Sequence, residues 1–156
     1  MNTAVANRVV GAALQGGRIP GIPLPHELKP EAADGEGSRL DFRLEAGGTR
    51  IWIEVKSTTF KVGREARFPD AVTARGLKHL GALMRLRAAG DRAVMLYLVA
   101  RADVEAFRPA WEIDPAYAEG LAEAHAAGVE VIAVRSALTR LGVGVGPVLS
   151  YDLDHA

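Results

Sequence analysis

The 156 residues are 49% hydrophobic and 24% charged, with 19 basic side chains balanced by 19 acidic ones and no cysteine. That suits one globular domain and excludes a disordered chain, a collagen-like repeat, a disulfide scaffold and any thiolate nucleophile or cysteine-based metal cluster. A reducing cytoplasm is the expected location. No apolar run is long enough to span a bilayer and no signal peptide is visible, so no membrane partner is expected.

Asn2 or Thr3 caps a predicted helix to about Gln15, with Val5, Val9 and Ala13 on one face and Gly16-Gly17 as its stop. Residues 18–37, rich in Pro, Gly and charge, read as a long irregular connection with room for a short edge strand. Segments 40–45 and 50–56 alternate as strands around Ala46-Gly47-Gly48-Thr49, a hairpin signal. Residues 58–60 begin a third strand, and Thr73 starts a helix to about Ala89. The apolar run 93–100 marks a strand buried on both faces. Asp114 caps a helix with Pro115 at its first position that runs to Ala127, and 129–134 is a further buried strand. The order is α/β: an antiparallel hairpin joined to interior parallel strands, with helices on the faces.

The zero net charge is a sum over unlike parts. Residues 61–92 carry eight basic and three acidic side chains, whereas 93–156 carry four basic and nine acidic. A basic middle is masked by an acidic tail.

The hairpin loop sets a register with Leu40 facing Val55, Phe42 facing Ile53 and Leu44 facing Ile51, an apolar core face. The other face pairs Glu45 with Arg50, Arg43 with Trp52, and Asp41 with Glu54, with Lys56 two residues beyond. Like charges directly opposite on a sheet are destabilising. Protonation of one carboxyl, or a bound cation, relieves them. Asp41, Glu54 and Lys56 are therefore a candidate hard-cation site for Mg²⁺ or Mn²⁺, competing with the plainer reading of a solvated strand face. Trp52 either stacks on a base or covers Arg43.

In the helix from Thr73, the spacing predicts Leu77, Leu80 and Met84 on the inner side and Arg75, Lys78, His79 and Arg85 on the outer. Lys61, Arg64 and Arg67 lie in the segment before it. Such a face beside a cation site suits a polyphosphate, and a solvated helix face is the competing reading. No P-loop, GxGxxG, HExxH or GxSxG pattern occurs.

Several stretches resemble the sugar fermentation stimulation protein A (SfsA) family: Ser38-Arg39-Leu40-Asp41-Phe42, Glu54-Val55-Lys56-Ser57, and the long run from Phe68-Pro69-Asp70 through Arg75-Gly76 to Lys78-His79-Leu80. Asn2-Thr3 with Ala6-Asn7-Arg8, Phe107-Arg108-Pro109-Ala110 and Ile113-Asp114-Pro115 also match. The resemblance implies a PD-(D/E)XK restriction-endonuclease-like mixed sheet flanked by helices. Residues 1–156 would be a single nuclease-like domain, without the OB-like β domain that usually precedes it, in a naturally short or a truncated member. It implies Asp41, Glu54 and Lys56 as the catalytic signature. Asp41 and Glu54 would hold Mg²⁺ or Mn²⁺, with the Val55 carbonyl and Glu31 as further ligands, and Lys56 would position the attacking water. Arg39, Lys61, Arg64, Arg75, Lys78 and His79 would contact nucleic acid, DNA ahead of RNA. Pro30-Glu31-Ala32-Ala33-Asp34 replaces a basic, aromatic stretch of the family, which weakens contact through that loop. The expected function is a DNA-binding, metal-dependent nuclease-like protein. The alternative is a catalytically silent DNA-binding regulator that influences sugar (maltose) metabolism.

Overall fold

A computed structural model describes residues 1–155. Helix α1 (Thr3–Gln15) is followed by strands β1 (Glu27–Ala33), β2 (Arg39–Ala46) and β3 (Thr49–Thr58), then by the short β4 (Lys61–Val62) and β5 (Glu65–Phe68). Helix α2 (Ala74–Ala88), β6 (Arg92–Val99), β7 (Ala106–Pro109), α3 (Pro115–Ala126), β8 (Glu130–Thr139) and β9 (Gly142–Tyr151) complete it. The strands form one mixed nine-stranded sheet, ordered β1-β2-β3-β6-β8-β9-β7-β5-β4. β1, β2 and β3 run antiparallel in succession, and β3, β6 and β8 are parallel.

β6 explains the layering. Its odd-numbered side chains, Ala93, Met95, Tyr97 and Val99, join the core layer built with Leu80 and Leu83 of α2 and Tyr117 and Leu121 of α3. Its even-numbered side chains, Val94, Leu96 and Leu98, join the opposite layer with Ala6, Val10 and Leu14 of α1. A strand covered on both faces has no polar positions to alternate with, hence the unbroken apolar run.

Most sequence-based elements hold in type and differ in extent, and the strand expected at 58–60 is absent. Segment 18–37 contains a full seven-residue edge strand, β1, paired to β2 from Glu27↔Glu45 to Ala33↔Arg39. No third strand starts at 58. β3 itself continues to Thr58, where it still pairs with Val99 of β6, and the next strand begins at Lys61. The strand expected at 129–134 runs on to Thr139 and turns back as β9. Gly142, Gly144, Gly146 and Pro147 blur the alternation of β9, and pairing with β8 supplies what the local pattern lacks.

Two expected faces are corrected. β3 has no solvated side from residue 51 to 55: Trp52 is buried, with its Nε1–H donating to Asp91 at 3.0 Å, and Arg43 lies 5.8 Å over its ring. That is the Arg43-covering reading of Trp52. Leu40 leaves the α1-side layer of Phe42, Leu44, Ile51, Ile53 and Val55 and packs in the α2-side layer with Trp52 and Ala32. The strict alternation of β2 fails between Leu40 and Phe42, where Asp41 lies.

Buried Asp114 ties α2 to α3. One carboxylate oxygen caps α3 through Tyr117 N at 3.0 Å and the other accepts from Thr73 N, at the start of α2, at 2.9 Å. Gly76 permits the close approach, because a Cβ there would sit 3.1 Å from the Tyr117 ring. Asp114→Ala removes a cap and orphans a second backbone amide, so about 2–3 kcal/mol of stability should be lost. Urea unfolding should show a lower midpoint at an unchanged slope.

Candidate functional site

The hairpin register is as expected from Phe42↔Ile53 through Glu45↔Arg50. Beyond Phe42 the ladder yields to a side chain. Asp41 Oδ2 accepts from Val55 N at 2.8 Å, and Oδ1 accepts from Asn7 Nδ2 of α1 at 2.8 Å. Glu54 is only 2% exposed, and its carboxyl faces that of Asp41. Glu54 Oε2 lies 2.7 Å from His79 Nδ1 of α2, yet it receives no aligned hydrogen bond. Lys56 Nζ stands 3.2 Å from the same His79 nitrogen. A lysine ammonium can only donate, so a hydrogen bond from Lys56 requires the His79 tautomer with an unprotonated Nδ1. Glu54 Oε2 is then a buried acceptor without a donor.

The electrostatics agree with this pattern. Burial, then the shared hydrogen bond and the repulsion with Glu54, push the Asp41 carboxyl up to about 7, against the pull of Val55 N and Asn7. Burial, then the charges of Lys56 and Arg75, push the His79 imidazole down to about 4, so it is neutral at pH 7. At pH 7 the Asp41 carboxyl is therefore about half protonated.

These groups open into a cavity of about 460 Å³. Asp41, Glu54, Val55 and Lys56 form one wall, His79, Arg75 and Phe68 another, and Met1 to Thr3 at the start of α1 a third. Ser57 Oγ donates to Met1 O at 3.2 Å, which ties that wall to the strand. A separate cavity of about 400 Å³ is lined by Arg67, Arg108, Trp111 and Glu112, but its arginines are already paired with Glu65, Glu112 and Asp152.

Asp41, Glu54, Val55, Lys56, Arg75 and His79 are brought together; the other expected site residues are not. His79 is not on an outer face. It is buried in the carboxylate site, and Leu77, expected inside, is exposed. The helix face turns because α2 must cover Glu54 as well as apolar β3 and β6. Glu31 falls between the paired residues Pro30 and Ala32 of β1, where it is exposed at φ +49° and outside the cavity. Lys61 and Arg64, at the far end of the sheet, pair with Asp103 at 2.7 Å and Glu105 at 2.8 Å. Lys78 donates to Gly37 O at 3.2 Å, and Arg39 is exposed at the start of β2. Asn7, Ser57 and Phe68 are site residues that sequence reasoning missed. Asn7 meets Asp41 across 34 positions, and no local periodicity reports such a contact.

Among the described residues, no three His, Cys, Asp or Glu side chains are grouped to hold a metal ion. The donor set is two carboxylates, one of them with a buried, unpaired oxygen, beside the Val55 backbone. That fits Mg²⁺ or Mn²⁺, which bind through one or two carboxylates and keep several waters. No helix is long and apolar enough to cross a membrane among the described residues.

The family model described as "Sugar fermentation stimulation protein RE domain" matches residues 4–142. A sugar fermentation stimulation protein homolog of Magnetococcus marinus is 46% identical over 98% of this chain and 66% of its own length. One from Pseudomonas putida is 50% identical over 92% of this chain and 62% of its own. The chain thus spans just under two thirds of these relatives. Among solved structures, Pyrococcus furiosus SfsA in complex with Ca²⁺ superposes with a TM-score of 0.86 at 29% identity, covering 97% of this chain and 65% of that one.

The raised Asp41 pKa carries a signed prediction. A carboxyl raised from 3.8 to about 7 on folding favours the folded state at low pH, and this contribution is lost as pH climbs toward 7. His79, lowered from 6.5 to about 4, acts oppositely, its contribution being lost as pH falls below 6.5. Comparison with a variant separates the two. Metal-free Asp41→Asn should melt higher than the parent at pH 8, with the gain shrinking toward pH 5. A gain independent of pH would show that Asp41 does not titrate in this range.

Proposed function

Since the chain belongs to the sugar fermentation stimulation protein family, we propose that it is a DNA-binding, divalent-metal-dependent nuclease-like protein acting on nucleic-acid phosphodiesters. The observation that carries the reading is the buried, donorless Glu54 Oε2 beside Asp41, with the Lys56 ammonium alongside. Asp41 and Glu54 would hold Mg²⁺ or Mn²⁺, next to the Val55 backbone. The bound metal would supply Lewis-acid stabilisation of charge at phosphorus and a lower pKa for its water. Lys56, held by neutral His79, presents its charge to the attacking water or the developing oxyanion. Arg75 lines the same cavity and makes no ion pair among the described residues, which suits it to a phosphate. Similarity to a Ca²⁺ complex supports the choice of a hard divalent cation. DNA is favoured over RNA, and the lack of cysteine supports a cytoplasmic setting.

A second reading is DNA binding without cleavage, with an influence on sugar (maltose) metabolism. It is favoured by the exposed position of Glu31, which leaves only two carboxylates in the site.

Single-stranded DNA, double-stranded DNA and RNA should be incubated with Mg²⁺ or Mn²⁺ to separate these readings. Cleavage that disappears in both Asp41→Asn and Lys56→Ala is the expected result, whereas binding without cleavage selects the second reading. Arg75→Ala should weaken DNA binding evenly across sequences and reduce the salt slope by roughly one. Arg64→Ala should leave the slope unchanged, because Arg64 already pairs with Glu105 away from the cavity.

A further inference from the structure

Asn7 stands on α1, outside the hairpin that carries the carboxylates, yet it makes the only α1 side-chain hydrogen bond to them among the described residues. Its Nδ2 donates to Asp41 Oδ1 at 2.8 Å, while Val55 N donates to Oδ2 at 2.8 Å. Each oxygen of Asp41 is gripped by one N–H, one from a helix and one from the neighbouring strand. A carboxylate held at both oxygens has its plane fixed. The amide presents its nitrogen to Asp41, whose oxygen accepts.

The other half of the amide shows why it is there. Asn7 Oδ1 is buried and has no hydrogen-bond partner. Burying an unpaired amide oxygen is unfavourable, and an apolar side chain would fill the same space without that cost. Packing therefore does not explain an asparagine at this position, whereas its donor does. The N–H holds the Asp41 carboxyl beside that of Glu54.

We infer that Asn7 is a positioning residue for the divalent-cation site: it holds Asp41 oriented toward the space shared with Glu54. The inference rests on the reading of Asp41 and Glu54 as cation ligands. Partners of metal ligands typically contribute ten- to hundredfold to affinity.

Calorimetric titration of the full chain with Mn²⁺ tests it, with melting temperatures recorded in parallel. Asn7→Ala should weaken Mn²⁺ binding by roughly ten- to hundredfold. Asn7→Ser, which keeps a shorter donor, should fall between Asn7→Ala and the parent, and it serves alone if Asn7→Ala does not fold. Val10→Ala, which removes buried packing from the same helix, should lower the melting temperature and leave Mn²⁺ affinity unchanged. Asp41→Asn should abolish binding. Parental affinity in Asn7→Ala, or in Asn7→Ser when it serves alone, overturns the inference while the cation site stands, provided Asp41→Asn abolishes binding. Equal losses in Asn7→Ala and Val10→Ala also overturn it, because helix packing then accounts for the effect. Binding that survives Asp41→Asn overturns the cation-site reading itself.

Discussion

Two carboxyls, half-buried Asp41 and buried Glu54, stand side by side where the β2–β3 hairpin ends, and most of the surrounding structure answers to that. In a low-dielectric site two ionised carboxylates repel strongly and each loses its water. His79 is close enough to neutralise Glu54 but is itself held neutral by burial and by the charges of Lys56 and Arg75. Lys56 gives its hydrogen bond to that imidazole. The remaining support for Asp41 comes from Val55 N and Asn7. The pair is left with a repulsion that a divalent cation would relieve.

The sheet order creates this situation. β3 is flanked by β2 and β6 and covered by α2, so a strand that alternates in sequence has no wet face from residue 51 to 55. Asp114 fixes where α2 begins by accepting Thr73 N while capping α3, and Gly76 lets the two helices close. With its start set, α2 delivers Arg75 and His79 to the carboxylates instead of presenting a uniform basic face to solvent.

The charge balance also acquires a spatial meaning. Much of the basic middle is paired with the acidic C-terminal third: Lys61 with Asp103, Arg64 with Glu105 and Arg67 with Glu112. These contacts are partly exposed, and each is worth little in stability. Their consequence is electrostatic, because they cancel charge at the β4–β5 end and leave Arg75 and Lys56 as the positive groups that line the cavity.

Sequence alone determined the elements whose signal is local. The apolar run of β6, the Asp114-Pro115 start of α3, the hairpin register from Phe42 to the turn and the nearness of Asp41, Glu54 and Lys56 all follow from side-chain period and turn chemistry over a few residues. Tertiary structure decided what depends on distant partners. β1 and β9 are irregular in composition and exist as strands because β2 and β8 offer them ladders. His79 looked solvated by helical spacing and is buried because a carboxylate, as well as apolar side chains, lies under α2. Glu31 sits exposed on an edge strand outside the cavity, while Asn7, on a helix remote in sequence, hydrogen-bonds to Asp41 across 34 residues. A local pattern reports which face a residue prefers, and only the packed layers report what occupies that face.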